Sequence, residues 1–289
     1  VICYLYEKNK PVLYELQPGV QMHWLYELPI SMTQAILFKH AIKKVKTILM
    51  VENIDILIAC GALYFPLAIR ACERIKTKCV CWEHTNPLIS SDYKFQNLCR
   101  GYAIKRCDKF VVLTKSAQKY YETAFSKYKD KVVQIYNPIN ESVKQSDRYD
   151  ESSTKIISVG RLSYPKNFER LINIAAQILP DYPEWSWDIY GEGELRNNLE
   201  KLIFERRLEE RVILKGQVKN LYQLYGQYAF MVMTSRYEGF PMVLIEGLAN
   251  RLPLISFDIQ TGPDEIIINE KNGYLINEKS DAEMVSAIR

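Results

Sequence analysis

The chain has 289 residues, of which 48% are apolar, with 38 Lys and Arg against 34 Asp and Glu and a formal net charge of +4. That size and apolar content suit one large or two ordinary globular domains and exclude a disordered or collagen-like chain. No run of about 18 apolar residues occurs, which excludes a hydrophobic spanning helix at the level of sequence.

In chain order, short β-branched runs alternate with longer helical patterns. Strands are predicted over 2–6, 55–60, 78–82, 109–113 and 132–135, with helices over 33–50, 66–76, 93–105 and 116–127. A polar stretch over 141–155, rich in Ser, Asp and Lys, reads as an interdomain linker. A second series follows, with strands over 156–159, 185–190, 212–214, 230–234 and 254–257. Its helices are predicted over 167–179, 195–207, 221–228 and 242–250. Strands alternating with helices imply right-handed βαβ units and mostly parallel sheets. The expected division is a first Rossmann-like domain with linker over 1–150 and a second over 151–289. Sheets of this kind bind ligands at their carboxyl strand ends, so a cleft between the two domains is expected. The chain opens at Val1 in a strand pattern and stops at Arg289 in a helical one, so both termini are expected to be truncated.

The seven cysteines all precede residue 110 and are irregularly spaced. Cys79-Val-Cys81 has no second pair nearby, and strand alternation puts both thiols on one face. Buried free thiols are expected rather than a metal site, which fits a cytoplasmic protein. Residues 1–150 carry 22 Lys and Arg against 14 Asp and Glu, and the remainder 16 against 20. The basic first half reads as solvated helix faces or as a peripheral dock for an anionic membrane or acceptor. No nucleic-acid motif accompanies it.

Two segments carry chemistry. Ser235-Arg236-Tyr237-Glu238-Gly239-Phe240-Pro241, continuing to Glu246, follows a buried strand and starts a helix. Free backbone N–H groups at that start favour an anion, and Gly239 lets a ligand approach closely. Two carboxylates, Glu238 and Glu246, accept hydrogen bonds from hydroxyls, as on a sugar and a ribose. The alternative is that Glu238 caps the helix and Glu246 is a solvated surface residue. Gly160-Arg161-Leu162-Ser163-Tyr164-Pro165-Lys166-Asn167 leaves the first strand of the second series. Arg161 and Lys166 together suit a diphosphate, or else are ordinary surface cations.

Taken together, G-R-L-x3-K-N followed by E-x7-E resembles the donor-binding domain of glycosyltransferase family 4. Tyr190-Gly191-Glu192-Gly193, Gly216-Gln217-Val218, Thr261–Ile267 and Asn272-Gly273 sit where that family has further motifs. The resemblance implies the GT-B fold of two facing Rossmann-like domains. It also implies transfer of a hexose or N-acetylhexosamine from a nucleotide diphosphate sugar, with UDP expected, to a glycan or lipid-linked acceptor with retention. The implied donor site comprises Arg161, Lys166, Glu238, Gly239, Phe240, Glu246, Val218 and Gly191. Arg161 and Lys166 take the diphosphate, Glu238 the sugar and Glu246 the ribose. In the first half, Trp82-Glu83-His84-Thr85-Asn86 matches more loosely and puts His84 at the acceptor and transferred sugar. The implied catalytic residues are Glu238, His84, Arg161 and Lys166. No Asp-x-Asp occurs, which fits a site with neither metal nor cofactor. Alternatives are a nucleotide-sugar epimerase of the same architecture and a nucleotide-sugar-binding protein without turnover. One departure is that no strand and Gly-rich loop precede Val1.

Overall fold

The structure, a computed structural model, describes residues 2–4, 18–25, 39–87, 94–140, 143 and 149–289. The chain divides into two compact units, Val1–Leu113 with Ala117–Ile135, and Thr114–Ser116 with Tyr136–Arg289. Among the described residues no helix is long and apolar enough to cross a membrane.

In the first unit β1 (Ile2–Tyr4) and β2 (Met22–Trp24) form a parallel pair. A four-stranded parallel sheet runs in the order β3 (Ile56–Cys60), β4 (Lys78–Glu83), β5 (Lys109–Val112), β6 (Val132–Gln134). The helices are α1 (Lys39–Val51), α2 (Phe65–Cys72), α3 (Lys94–Arg106) and α4 (Lys115–Ala124). Phe65, Phe110, Ala103, Ile104 and Tyr121 fill the core with Cys79, Cys81 and Cys107. The two thiols of Cys79-Val-Cys81 therefore share the buried face, as period-two alternation requires. Cys60, Cys72, Cys79, Cys81, Cys99 and Cys107 are free, and among the described residues no group of three or more His, Cys, Asp or Glu could hold a metal ion.

The second unit has a six-stranded parallel sheet of β7 (Lys155–Val159), β8 (Ser186–Tyr190), β9 (Val212–Gly216), β10 (Phe230–Met233), β11 (Leu254–Asp258) and β12 (Gly273–Asn277). Its order is β12-β11-β10-β7-β8-β9. The chain leaves β7 toward β8 on one side and later returns to place β10 on the other. The carboxyl ends of β7 and β10 are therefore the topological switch point, where such sheets form a crevice. Buried Ile156, Ile157, Trp187, Ile189, Met231, Val232, Leu254 and Phe257 make these strands apolar on both faces. The covering helices are α5 (Phe168–Ile178), α6 (Arg196–Glu205), α7 (Met242–Ala249) and α8 (Asp281–Ile288). On α5, Phe168, Leu171, Ile172, Ala175 and Ile178 recur at three- and four-residue spacing and are all buried.

The sequence expectations differ from the structure in several places. The predicted helix over 66–76 stops at Cys72, because Glu73 turns extended and Arg74 takes a positive φ. The helix over 116–127 ends at Ala124 and continues as the 3-10 stretch Ser126–Lys131. The helix over 221–228 is a 3-10 stretch, Leu221–Gln227, whose tight turns bury Tyr225 and Gly226. Residues 5–6, 33–38 and 93 of the predicted elements lie outside the described residues, as do residues 141–142 and 144–148 of the 141–155 stretch. The described end of that stretch is anchored. Tyr149 Oη donates to Ala229 O at 2.6 Å, and Asp150 N donates to Gly226 O. Strands β2 and β12 were not among the predicted elements, whereas α8 falls on the helical pattern expected at the end of the sequence.

Candidate functional site

Three loops at the carboxyl end of the second sheet are stitched together by their backbones. Gly160 N donates to Tyr190 O at 2.9 Å, Leu162 N to Glu192 O at 3.0 Å, and Gly191 N to Gly216 O at 2.9 Å. Gly191 has φ 139°, and a Cβ there would lie 1.9 Å from Gly160 O, so only glycine permits the approach. The three loops enclose a cleft of about 430 Å³ lined by Arg161, Gly191 and Val218 together with Tyr190, Glu192 and Gln217. Arg161 is exposed and, among the described residues, held only by Glu194 at 3.3 Å, so its guanidinium is available to an anion.

Tyr190, which lines the cleft, begins a chain of buried hydrogen bonds. Tyr228 Oη donates to Asp188 Oδ2 at 2.8 Å, because an ionised carboxylate only accepts. Tyr190 Oη must then donate to Tyr228 Oη at 2.8 Å, while Lys215 Nζ lies 3.3 Å from Asp188. Burial and the carboxylate push the Tyr228 phenol far above its ordinary value, so the chain of donors is fixed at any physiological pH.

Lys166 and Glu238 meet on the other side of the switch point. Lys166 Nζ lies 2.5 Å from Glu238 Oε1, and Ser235 Oγ donates to the same oxygen at 2.7 Å. Thr261 Oγ1 holds the Glu238 carbonyl. Glu238 is thus an ion-pair partner and makes no capping bond to α7, whose start has no side-chain cap. Gly262, at φ 103°, packs so close to Pro241 that an added Cβ would lie 2.5 Å from its Cδ, which fixes where α7 begins. Gly239 is part-buried in this loop. Phe240 is buried beneath the loop, its ring stacked on Tyr136 at 5.1 Å. Glu246, past the first turn of α7, receives Tyr225 Oη at 3.2 Å. Burial raises its carboxyl above the usual value, with the Tyr225 bond opposing. It is therefore not a solvated surface residue.

Arg161 and Lys166 are consequently not equivalent. The first faces the cleft, whereas the second is ion-paired with Glu238. Sequence reasoning missed Ser235 and Tyr225, which bond the two carboxylates, Thr261, which holds the Glu238 backbone carbonyl, and Gln217 and Tyr190 in the cleft. Gln217 and Tyr190 sat inside quoted motifs, while Tyr225 carried no signal.

In the first unit His84 directly follows β4 and is half-buried, with its ring stacked on Trp82 at 5.5 Å and 27°. Desolvation lowers its pKa from the ordinary value, against the opposing charge of Glu83, so the imidazole is neutral at pH 7.

Residues 140–289 match the family described as Glycosyl transferases group 1, and residues 5–143 match Glycosyltransferase Family 4. The chain belongs to the family 4 glycosyltransferases. It is 34% identical over 213 residues to the amylovoran biosynthesis glycosyltransferase AmsD of Erwinia amylovora, covering 72% of this chain and 58% of that one. It is 25% identical to an uncharacterized glycosyltransferase of Haemophilus influenzae, covering 97% of this chain and 78% of that one. Among solved structures, a mutant of S. aureus TarM in complex with fondaparinux, alpha-GlcNAc-glycerol and UDP matches with a TM-score of 0.76 at 23% identity. That match covers 87% of this chain and 52% of TarM. This likeness shows the GT-B fold. The chain spans 58% of the length of AmsD and about half that of TarM.

Proposed function

We propose that this family 4 glycosyltransferase transfers a hexose or N-acetylhexosamine from a UDP-sugar to a glycan or lipid-linked acceptor in cell-surface polysaccharide or glycolipid synthesis, with retention. The observation that carries the reading is the cleft at the β7 strand end, with Arg161, Gly191 and Val218 in its wall and the Lys166–Glu238 pair beyond the switch point. UDP in the TarM complex and the biosynthetic role in the AmsD name support donor and pathway class.

In this reading Arg161 and Lys166 stabilise the diphosphate as it leaves, the uncapped start of α7 adds its amides, and no metal or cofactor takes part. Glu238 accepts from donor-sugar hydroxyls and Glu246 from the ribose. Gly239 and Phe240 shape the backbone against the donor. His84, neutral at pH 7, orients the acceptor and transferred sugar. The acceptor hydroxyl attacks the anomeric carbon on the leaving-group face. The bond to the phosphate oxygen breaks, and the departing phosphate takes the hydroxyl proton. An acceptor at an anionic membrane face suits the basic first half.

A thermal-shift panel of UDP-glucose, UDP-galactose, UDP-N-acetylglucosamine, GDP-mannose and ADP-glucose tests the donor, since a ligand bound only to the native state raises its melting temperature. At least one UDP-sugar is expected to stabilise the protein and to release UDP faster when glycan acceptors are added. Isomerised donor without UDP release would point to an epimerase. Stabilisation without turnover under any acceptor would leave a binding protein.

A further inference from the structure

Beneath the His84 loop lies an ion pair that the donor site does not use. Glu83, the last residue of β4, is 1% exposed, and Arg100 on α3 is 3% exposed. Arg100 Nε donates to Glu83 Oε2 at 2.6 Å, one terminal nitrogen to Asn97 Oδ1 at 2.8 Å, and the other to Thr85 Oγ1 at 2.7 Å. Glu83 Oε1 in turn accepts from both Thr85 N at 3.0 Å and Thr85 Oγ1 at 2.6 Å.

Burying two charges costs several kcal/mol per ion, and an apolar pair of the same volume often serves stability as well or better. What the ion pair supplies here is direction. The fork of Arg100 and the two oxygens of Glu83 converge on Thr85, the residue after His84. His84 therefore sits between a residue held in the sheet ladder and one clamped through both its backbone and its hydroxyl. Among the described residues nothing hydrogen-bonds the His84 imidazole, so its aim depends on this clamp and on the Trp82 stack.

We propose that Glu83, Arg100 and Thr85 are positioning residues that set the orientation of the His84 imidazole for glycosyl transfer. The role in transfer rests on the reading of His84 given above, whereas the clamp itself does not. Thr85 is exposed, so its variants test the clamp without endangering the fold. Thr85→Val removes the hydroxyl at nearly constant shape, and Thr85→Ser restores it. Arg100→Lys keeps the charge but not the fork.

The test records the His84 ring signals by NMR on the intact protein, assigned by their loss in His84→Gln, beside kcat and KM for UDP release from UDP-glucose, UDP-galactose and UDP-N-acetylglucosamine. In Thr85→Val and Arg100→Lys the His84 signals are expected to shift or broaden. The kcat should fall about tenfold or more with donor KM within about twofold, a pattern of lost alignment rather than lost binding. Thr85→Ser should match the parent in both. Unchanged His84 signals in Thr85→Val would overturn the clamp, whatever the activities do. Shifted signals with His84→Gln turning over at the parent rate would uphold the clamp and remove His84 from the reaction.

Discussion

Lys166 Nζ and Ser235 Oγ share one oxygen of Glu238, leaving Oε2 without a partner among the described residues. A part-buried carboxylate with one oxygen locked and one open is a rigid acceptor for a ligand hydroxyl. Glu238→Ala is expected to lower transfer by about 10²–10³-fold, in line with loss of one preorganised polar contact to the reacting sugar. UDP affinity, measured by calorimetry, should stay within about threefold, since the proposed role of Glu238 is on the sugar and not on the nucleotide. Near-normal transfer would remove Glu238 from the sugar.

Glu246 yields a pH prediction with a definite sign. Burial raises its carboxyl pKa in the folded chain, so protonation favours the folded state, and stability is lost as pH rises through that raised value. Glu246→Gln should therefore melt higher than the parent at pH 7–8, with the gap closing as pH falls through the folded pKa of the parent. In the proposed reading ribose hydroxyls donate to the ionised form, so binding is expected to have the opposite slope. Uridine affinity of the parent should weaken on acidification relative to Glu246→Gln, while being about tenfold tighter at pH 8, the worth of one charged hydrogen bond. Equal uridine affinities at pH 8 would detach Glu246 from the ribose.

Much of this was legible because the second unit repeats local rules. The apolar spacing of α5 and the runs that became β7, β8, β10 and β11 follow from burial on two faces, which composition reveals. The 3-10 stretch Leu221–Gln227 was not legible, because three tyrosines and an apolar pair mimic helical spacing while Gly226 and the left-handed Asn220 tighten the turn. The Lys166–Glu238 pair spans 72 residues and arises from the strand order β10-β7, which no local pattern encodes. Arg100 looked like one cation in a basic surface cluster, and only the sheet register brings Glu83 beside it. Glu246 was assigned from motif spacing, but its burial and the Tyr225 bond needed the fold.

Gly191 offers a test of the stitched loops. Gly191→Ala would drive a Cβ to 1.9 Å from Gly160 O and hold a side chain at φ 139°, so the β7 and β8 loops must part. A loss of at least about 3 kcal/mol is expected by urea unfolding, the scale of special-backbone and overpacking effects together. Gly19→Ala, at φ 89° with nothing within 4 Å, isolates the backbone term and should cost only about 1–2 kcal/mol. If the two variants are equally stable, the loops are not held by this contact. A surviving Gly191→Ala should also lose UDP binding, since Gly191 lines the cleft.

The Tyr190–Tyr228–Asp188 chain makes a prediction about direction of donation. Tyr228→Phe removes both the donor to Asp188 and the acceptor for Tyr190, leaving Asp188 with Lys215 alone. Two buried groups lose a partner, for an expected cost of about 2–4 kcal/mol. Tyr190→Phe removes only a donor and leaves the Tyr228–Asp188 bond intact, so about 0.5–1.5 kcal/mol is expected. The double variant should cost less than the sum of the two, because Tyr190 has no acceptor left to lose once Tyr228 is phenylalanine. The cycle is measured by urea unfolding at pH 7, where the Tyr228 phenol is protonated. If Tyr190→Phe proves the costlier change, donation does not run from Tyr190 to Tyr228.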